Sequence, residues 1–308
     1  MKTHNTRPQT IFESLEEQLA FEHRRVVSVW RAMVLLQRSF HNVPAEQRRW
    51  KAAPVNLAET QTVLHRLRSS GHLEGYQDLP SLYRVTSPYA RQSPIEEHEI
   101  LMELHPYAAI SHLSALAFHG LTDQFPREIH ITTPSGRSSR ILPVGIGEKE
   151  WFSGLSEVSG SLPSHVEDLP IRRHQLDKYF GFAEYSPNGY PVRVMTMEKT
   201  LIDGLRTPEW CGGISNVLQG WLNAKDAIKL STVLEFTEHL NVRLLKQRVG
   251  FVLEELGFSD PQLDEWAVGA KRGGSSKLVG NSAFAPSFSD RWKLSLNASL
   301  FPLGGGDL

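Results

Sequence analysis

The sequence predicts an α+β protein in which an N-terminal winged helix-turn-helix domain precedes a larger C-terminal domain of mixed α/β structure. Three observations lead there. Helical patterns followed by a strand-turn-strand pattern occupy residues 23–92, and alternating strand patterns interleaved with amphipathic helices fill most of the rest. At 308 residues and 34.7 kDa the chain also exceeds the usual length of one domain, about 100 to 200 residues. The expected organisation is an arm over 1–22, the winged helix over 23–92, a linker helix over 93–106, the second domain over 107–300 and a flexible tail over 301–308.

From Val26 to Leu36 the run VVSVWRAMVLL sets Val26, Val29, Trp30, Met33 and Leu36 at helical spacing, as in a core helix. In the polar stretch that follows, Pro44 can open a short helix, Trp50 anchors it and Pro54 must end it. Asn56 then caps a helix from Leu57 to about Ser70, stopped at Gly71. Two β-prone runs, His72 to Tyr76 and Ser81 to Thr86, flank a loop with Asp78 and Pro80 and form a hairpin.

Further on, SPIEEHEILMELHP reads as a helix ending before Pro106, and Ser111 caps a short helix, HLSALAFH, stopped by Gly120. EIHITTPS, from Glu128, alternates as a strand. More strands are expected at Ile171–Leu176, Tyr179–Glu184 and Val192–Met195, with a helix over Met197–Leu205. Near the end, Val242, Leu245, Val249, Val252, Leu253 and Leu256 form an amphipathic stripe closed by Gly257.

The net charge of −1 conceals an asymmetry. Residues 22–92 hold 11 Lys+Arg against 5 Asp+Glu, a balance of +6, and the remainder of the chain is −7. Such a segment is the footprint of a polyanion, but a solvated basic face has the same composition, so an element that can read bases is needed as well. On a helical wheel Leu57, Val63, Leu64 and Leu67 fall on one side, with Ala58, Thr62, His65 and Ser69 opposite and Gln61, Arg66 and Glu59 flanking. Hydroxyl, amide, imidazole and guanidinium groups on one face suit a helix in a DNA major groove. Asn56, Gln61, Thr62, His65 and Arg66 are therefore the expected base readers. Arg48, Arg49, Lys51, Arg68, Tyr83 and Arg84 are the expected phosphate holders, with Arg91 placed for backbone or minor-groove contacts. A small winged helix that binds protein is the alternative.

Several blocks carry a resemblance. In order they are YAAISHLSALAFHGLTDQFPREIHITTP, RRHQLDKYFGF, VRVMTMEKTLIDGLRTPEWCGG and RLLKQRVGFVLEELG. Together they resemble the type IV abortive-infection antitoxins, the AbiEi-like transcriptional regulators, over about Val26 to Asn297. The resemblance implies a winged-helix domain that represses its own operon at inverted repeats. It also implies a C-terminal domain that neutralises a nucleotidyltransferase-like toxin, without requiring a stable complex. The stretch between Phe40 and Pro54 departs from this pattern, being longer and more basic than a minimal helix-turn-helix needs.

Chemistry is weakly marked. His98, His105, His112 and His119 recur every seven residues, but Pro106 breaks any single helix that would stack them, so no metal site is expected. Cys211 reads as a buried small residue, and with one cysteine no internal disulfide forms. KRGGSSK lacks P-loop spacing and reads as a surface loop. Glu198 and Asp203 fall about 140° apart on a helix and form no carboxylate pair.

The expectation is a DNA-binding repressor and antitoxin, not an enzyme, without cofactor or metal. Its partners are double-stranded operator DNA and a cognate toxin. With no heptad seam, it is expected to be a monomer in solution. The N-terminus lacks a signal-peptide core and no run approaches the roughly 20 apolar residues of a membrane helix, which points to the cytoplasm and to no membrane partner. The competing readings are a solitary ligand-sensing regulator and, with less support, a nucleic-acid-processing enzyme.

Overall fold

The computed structural model describes residues 7–76, 78–86, 94–136, 141–150, 152–158, 160–274 and 276–299. Among them the chain forms ten α-helices and several sheets, a mixed α and β fold. Contacts divide it into two units: the first is 1–108, 137–168 and 184–193, the second 109–136, 169–183 and 194–308.

The first unit begins with α1, Ile11–Phe21, opened by a capping box in which Thr10 and Glu13 exchange side-chain-to-backbone hydrogen bonds. Residues 1–22, expected as an arm, thus contain a helix that buries Leu15 and Leu19 in the core. Then come β1 (Val26–Ser28), α2 (Val29–Asn42), α3 (Leu57–Ser69), β2 (Leu73–Gly75), β3 (Leu82–Val85) and α4 (Glu97–Leu104). The three strands form an antiparallel sheet in the order β1-β3-β2. The helix expected from Val26 starts three residues later, because the β-branched Val26 and Val27 pair with β3 and the Ser28 hydroxyl caps α2 at Arg31 N. Leu35 and Leu36 of α2 meet Val63, Leu64 and Leu67 of α3 and Tyr83 of β3.

Helix α4 is not a linker. Its carboxylates are buried against the first part of the chain: Glu103 accepts hydrogen bonds from Arg24, Arg31 and both Ser28 N and Oγ, and Glu99 from Arg25. A boundary at residue 92 would cut this network.

The second unit contains β4 (Ala109–Ile110), α5 (His112–Phe118) and β5 (Ile129–Pro134). Between it and β7 (Leu169–Leu176) lies β6 (His165–Val166), of the first unit; β8 (Phe182–Tyr185) and β9 (Val192–Met195) cross the division. Strand β5 is antiparallel to β4 and parallel to β7, and β4 is parallel to β9. Helices α6 (Met197–Arg206), α7 (Ile214–Asn223), α8 (Leu230–Leu240), α9 (Arg243–Glu255) and α10 (Pro261–Val268) follow, with a small ribbon of β10 (Phe288–Ser289) and β11 (Leu294–Ser295). Leu201 and Leu205 of α6, Val217 and Trp221 of α7, Val249 and Val252 of α9, and Trp292 form its core. No helix of the described residues is long and apolar enough to cross a membrane.

Candidate nucleic-acid interface

Helix α3 supplies the clearest exposed polar face. Its packing is one-sided, with Val63, Leu64 and Leu67 buried and Gln61, Thr62, His65 and Arg66 exposed, as the wheel requires. Thr62 Oγ1 donates to Ala58 O at 3.2 Å, leaving its lone pairs outward, and the Arg66 guanidinium lies 5.2 Å from the Phe12 ring centre. Asn56 is otherwise employed. Its Oδ1 accepts from Glu59 N at 2.9 Å and its Nδ2 donates to Glu59 Oε1 at 2.8 Å, so it serves as the helix cap and not as an open edge for a base.

The expected phosphate holders separate into two groups. Arg49, Lys51, Arg68 and Arg84 are exposed. Arg68 leans from the last turn of α3 towards Gly75 of β2, where an added Cβ would sit 3.3 Å from its Cζ, and Arg84 stands opposite Glu74 on the hairpin. Two assignments change. Tyr83 is only 2% exposed, packed in the core, and cannot reach a phosphate. Arg48 lies 4.0 Å from the Phe40 ring centre and 5.6 Å from that of Trp50, its Nε and Nη1 buried without a hydrogen-bond partner, so it is an aromatic-stacking residue. Arg91 lies outside the described residues.

The basic balance of residues 22–92 is also partly internal. Arg24 and Arg31 pair with Glu103, Arg25 with Glu99, and Arg38 with Glu22 and Glu150. Most of these carboxylates lie outside residues 22–92, so four of that segment's cations are unavailable to a polyanion.

Other chemical motifs resolve simply. Cys211 is fully buried, and burial, with Asp203 and Glu209 nearby, pushes its thiol well up, opposite to a nucleophile's needs. Asp203 is paired with the buried Lys199 one helical turn away. Lys271 O and Ser276 of KRGGSSK are tied to Gln247 and Gly273 N.

The seven-residue histidine series does not form a stripe, since His98 and His105 belong to the first unit and His112 and His119 to the second. His112 instead meets His130 and His174, which the spacing gave no reason to join. Ser111, the expected cap of α5, makes no capping hydrogen bond; its Oγ lies 2.9 Å from His112 Nδ1. Burial is the largest influence on all three imidazoles. It lowers His130, takes His112 well down and brings His174 to about 4. A pocket of about 400 Å³ opens beside them, lined by Arg172, Arg173, Asp203, Arg206, Thr207 and Trp210 among others.

No family model matches the chain, and no curated protein does. Among solved structures, the chain is similar to the RV2827C protein from Mycobacterium tuberculosis, at 11% identity and a TM-score of 0.50. The match covers 92% of this chain and 90% of that one, and it is a likeness of fold alone.

Proposed function

We propose that the chain is a sequence-reading transcriptional repressor that also acts as the antitoxin of a nucleotidyltransferase-like toxin made from the same operon. The observation that carries the DNA-binding half is the one-sided α3: four polar residues, Gln61, Thr62, His65 and Arg66, project away from a core helix that is followed directly by a two-stranded hairpin. Helix, strand, helix, helix and hairpin, with the strands ordered β1-β3-β2, is the order expected of a winged helix-turn-helix and supports this reading. In this reading α3 lies in the major groove, Arg68 and Arg84 hold backbone from the hairpin side, and Arg49 and Lys51 hold it from the loop before α3. The antitoxin half rests on the four ordered sequence blocks.

A gel-shift titration on the DNA upstream of the gene, with random duplex as competitor, tests the first half. Binding that survives the competitor supports it; binding erased in step with the competitor refutes operator reading. Toxin rescue by full-length protein carrying Gln61→Ala and Arg66→Ala tests the second. Rescue that persists without DNA binding places neutralisation outside α3, and failure of the wild-type chain to rescue refutes it.

A further inference from the structure

Strands β5 and β7 run parallel with His130 opposite Arg172 and Thr132 opposite His174, so His130, Thr132, Arg172 and His174 share one sheet face. His112, the first residue of α5, closes over the same face: its ring centre lies 5.8 Å from that of His130 and 4.1 Å from that of His174. One ring nitrogen from each of the three lies within 4.8 Å of the others.

We propose that His112, His130 and His174 bind a divalent transition metal of the zinc class, whose fourth position opens into the neighbouring pocket and takes an anionic oxygen ligand. The distances fit. Bonds of about 2.0–2.1 Å in a tetrahedral site set two imidazole nitrogens about 3.3 Å apart, and His130 Nδ1 lies 3.1 Å from His174 Nε2. The outer contacts fit as well. His130 Nε2 faces Glu128 Oε1 at 3.3 Å, the carboxylate–imidazole pairing that orients a metal-binding histidine and leaves Nδ1 inward, and the Ser111 hydroxyl holds His112 Nδ1. Thr132 Oγ1, on the same face and fully buried, has no hydrogen-bond partner, so the site has an unmet polar atom. Trp210 lies tilted against His174 at 4.3 Å and meets His112 edge-on at 5.3 Å, walling one side.

The surrounding charge selects the fourth ligand. Arg172 is paired with Glu128 at 2.7 Å and Lys199 with Asp203, and Arg173 points to the opposite sheet face, where its Nε donates to Thr133 Oγ1 at 2.9 Å, which leaves the exposed Arg206 as the excess cation at the pocket. Together with a metal ion, the Arg206 guanidinium favours an oxyanion of the phosphate class over a neutral donor. Imidazole ligands with an open position suit zinc or cobalt over magnesium or calcium, which prefer oxygen.

The test uses the full-length protein. After incubation with Zn²⁺ and desalting, metal analysis should find about one ion per chain in the wild type and background in His174→Gln and His130→Gln. Glu128→Gln, which keeps all three imidazoles, should weaken zinc affinity on the order of 10- to 100-fold. Cobalt loading should give the intense visible bands of a tetrahedral site, and inorganic phosphate should shift them, with weaker apparent affinity in Arg206→Ala. A wild type that retains no metal, weak octahedral bands, or a folded His174→Gln that still binds a full equivalent overturns the proposal. If the histidine variants fail to fold, the wild-type stoichiometry and cobalt spectrum decide. Cobalt bands indifferent to phosphate overturn the anion assignment.

Discussion

Arg31 Nε donates to Glu103 Oε1 at 3.0 Å across 72 residues of sequence, with both side chains almost completely enclosed. Burial lowers the Arg31 guanidinium to about 10, the nearby Arg24 charge acting in the same direction and the Glu103 carboxylate opposing them. Glu103 also receives Arg24 and Ser28; Arg24 keeps Glu22 at 2.7 Å, so removal of Glu103 strands the buried Arg31 guanidinium.

Glu103→Ala should therefore destabilise the protein by about 3–5 kcal/mol, the cost of leaving a buried charge without its partner. Urea unfolding of the two proteins checks this. A loss under about 1 kcal/mol, the range of exposed pairs, would show that the network is not enclosed in solution.

Gly250→Ala in α9 should be destabilising although an exposed helical glycine ordinarily gains about 1 kcal/mol on becoming alanine. The added Cβ would overlap the ring of Trp292, whose carbonyl accepts from Gln247 Nε2 and whose Nε1 donates to Glu254, holding the residue in place at both ends. Overpacking of this kind costs about 1–3 kcal/mol. A rise in Tm for Gly250→Ala would contradict the packing described.

Acid should weaken the fold through His98 and His119. Burial lowers both, against Glu97 and Glu96 for His98, and against the Met195 carbonyl at 2.7 Å and Glu198 for His119. With folded values below the unfolded value of about 6.5, the unfolded chain binds more protons in that range. This contribution is complete above about pH 6.5 and is lost as the pH falls through the folded values. The urea midpoint should thus drop between pH 7 and 5, and less steeply in His119→Gln; an unchanged slope in that variant would remove His119 as a source.

Much of the first unit was legible because its signals are local. Asn56 and Gly71 bracket α3 to within one residue, the hairpin runs contain β2 and β3, and Leu64 and Leu67 face inward as the wheel requires. The capping box of Thr10 and Glu13 is equally local, a readable signal for α1 within the residues expected to form an arm. What was not legible depends on pairing between distant segments. Val26 and Val27 look helical until β3 is set beside them, and the basic balance looks external until Glu99 and Glu103 arrive from α4. The histidine group is of the same kind: His130 and His174 meet only through the β5–β7 register, which no spacing along the chain encodes. Helices α7, α8 and α10 were not anticipated, their apolar residues being short runs with no strong start signal before α7 or α8.

The salt dependence of DNA binding should follow exposure rather than sequence position. Replacing Arg49, Lys51, Arg68 or Arg84 with alanine should lower the slope of log K against log salt by about 1 each where the residue holds a phosphate. Arg48→Ala should leave the slope unchanged and reduce stability, because its guanidinium is spent on Phe40 and Trp50. A reduced slope for Arg48→Ala would return it to the phosphate holders.

The most direct measurement of the central claim is a paired titration of wild type and Arg66→Ala against operator and random duplex at one salt concentration. If α3 reads bases, the wild type prefers operator over random duplex, and Arg66→Ala loses about 1–3 kcal/mol on the operator with little change on random DNA. Equal losses on both duplexes, or a wild type without preference between them, would contradict the assignment of α3 as the reading helix.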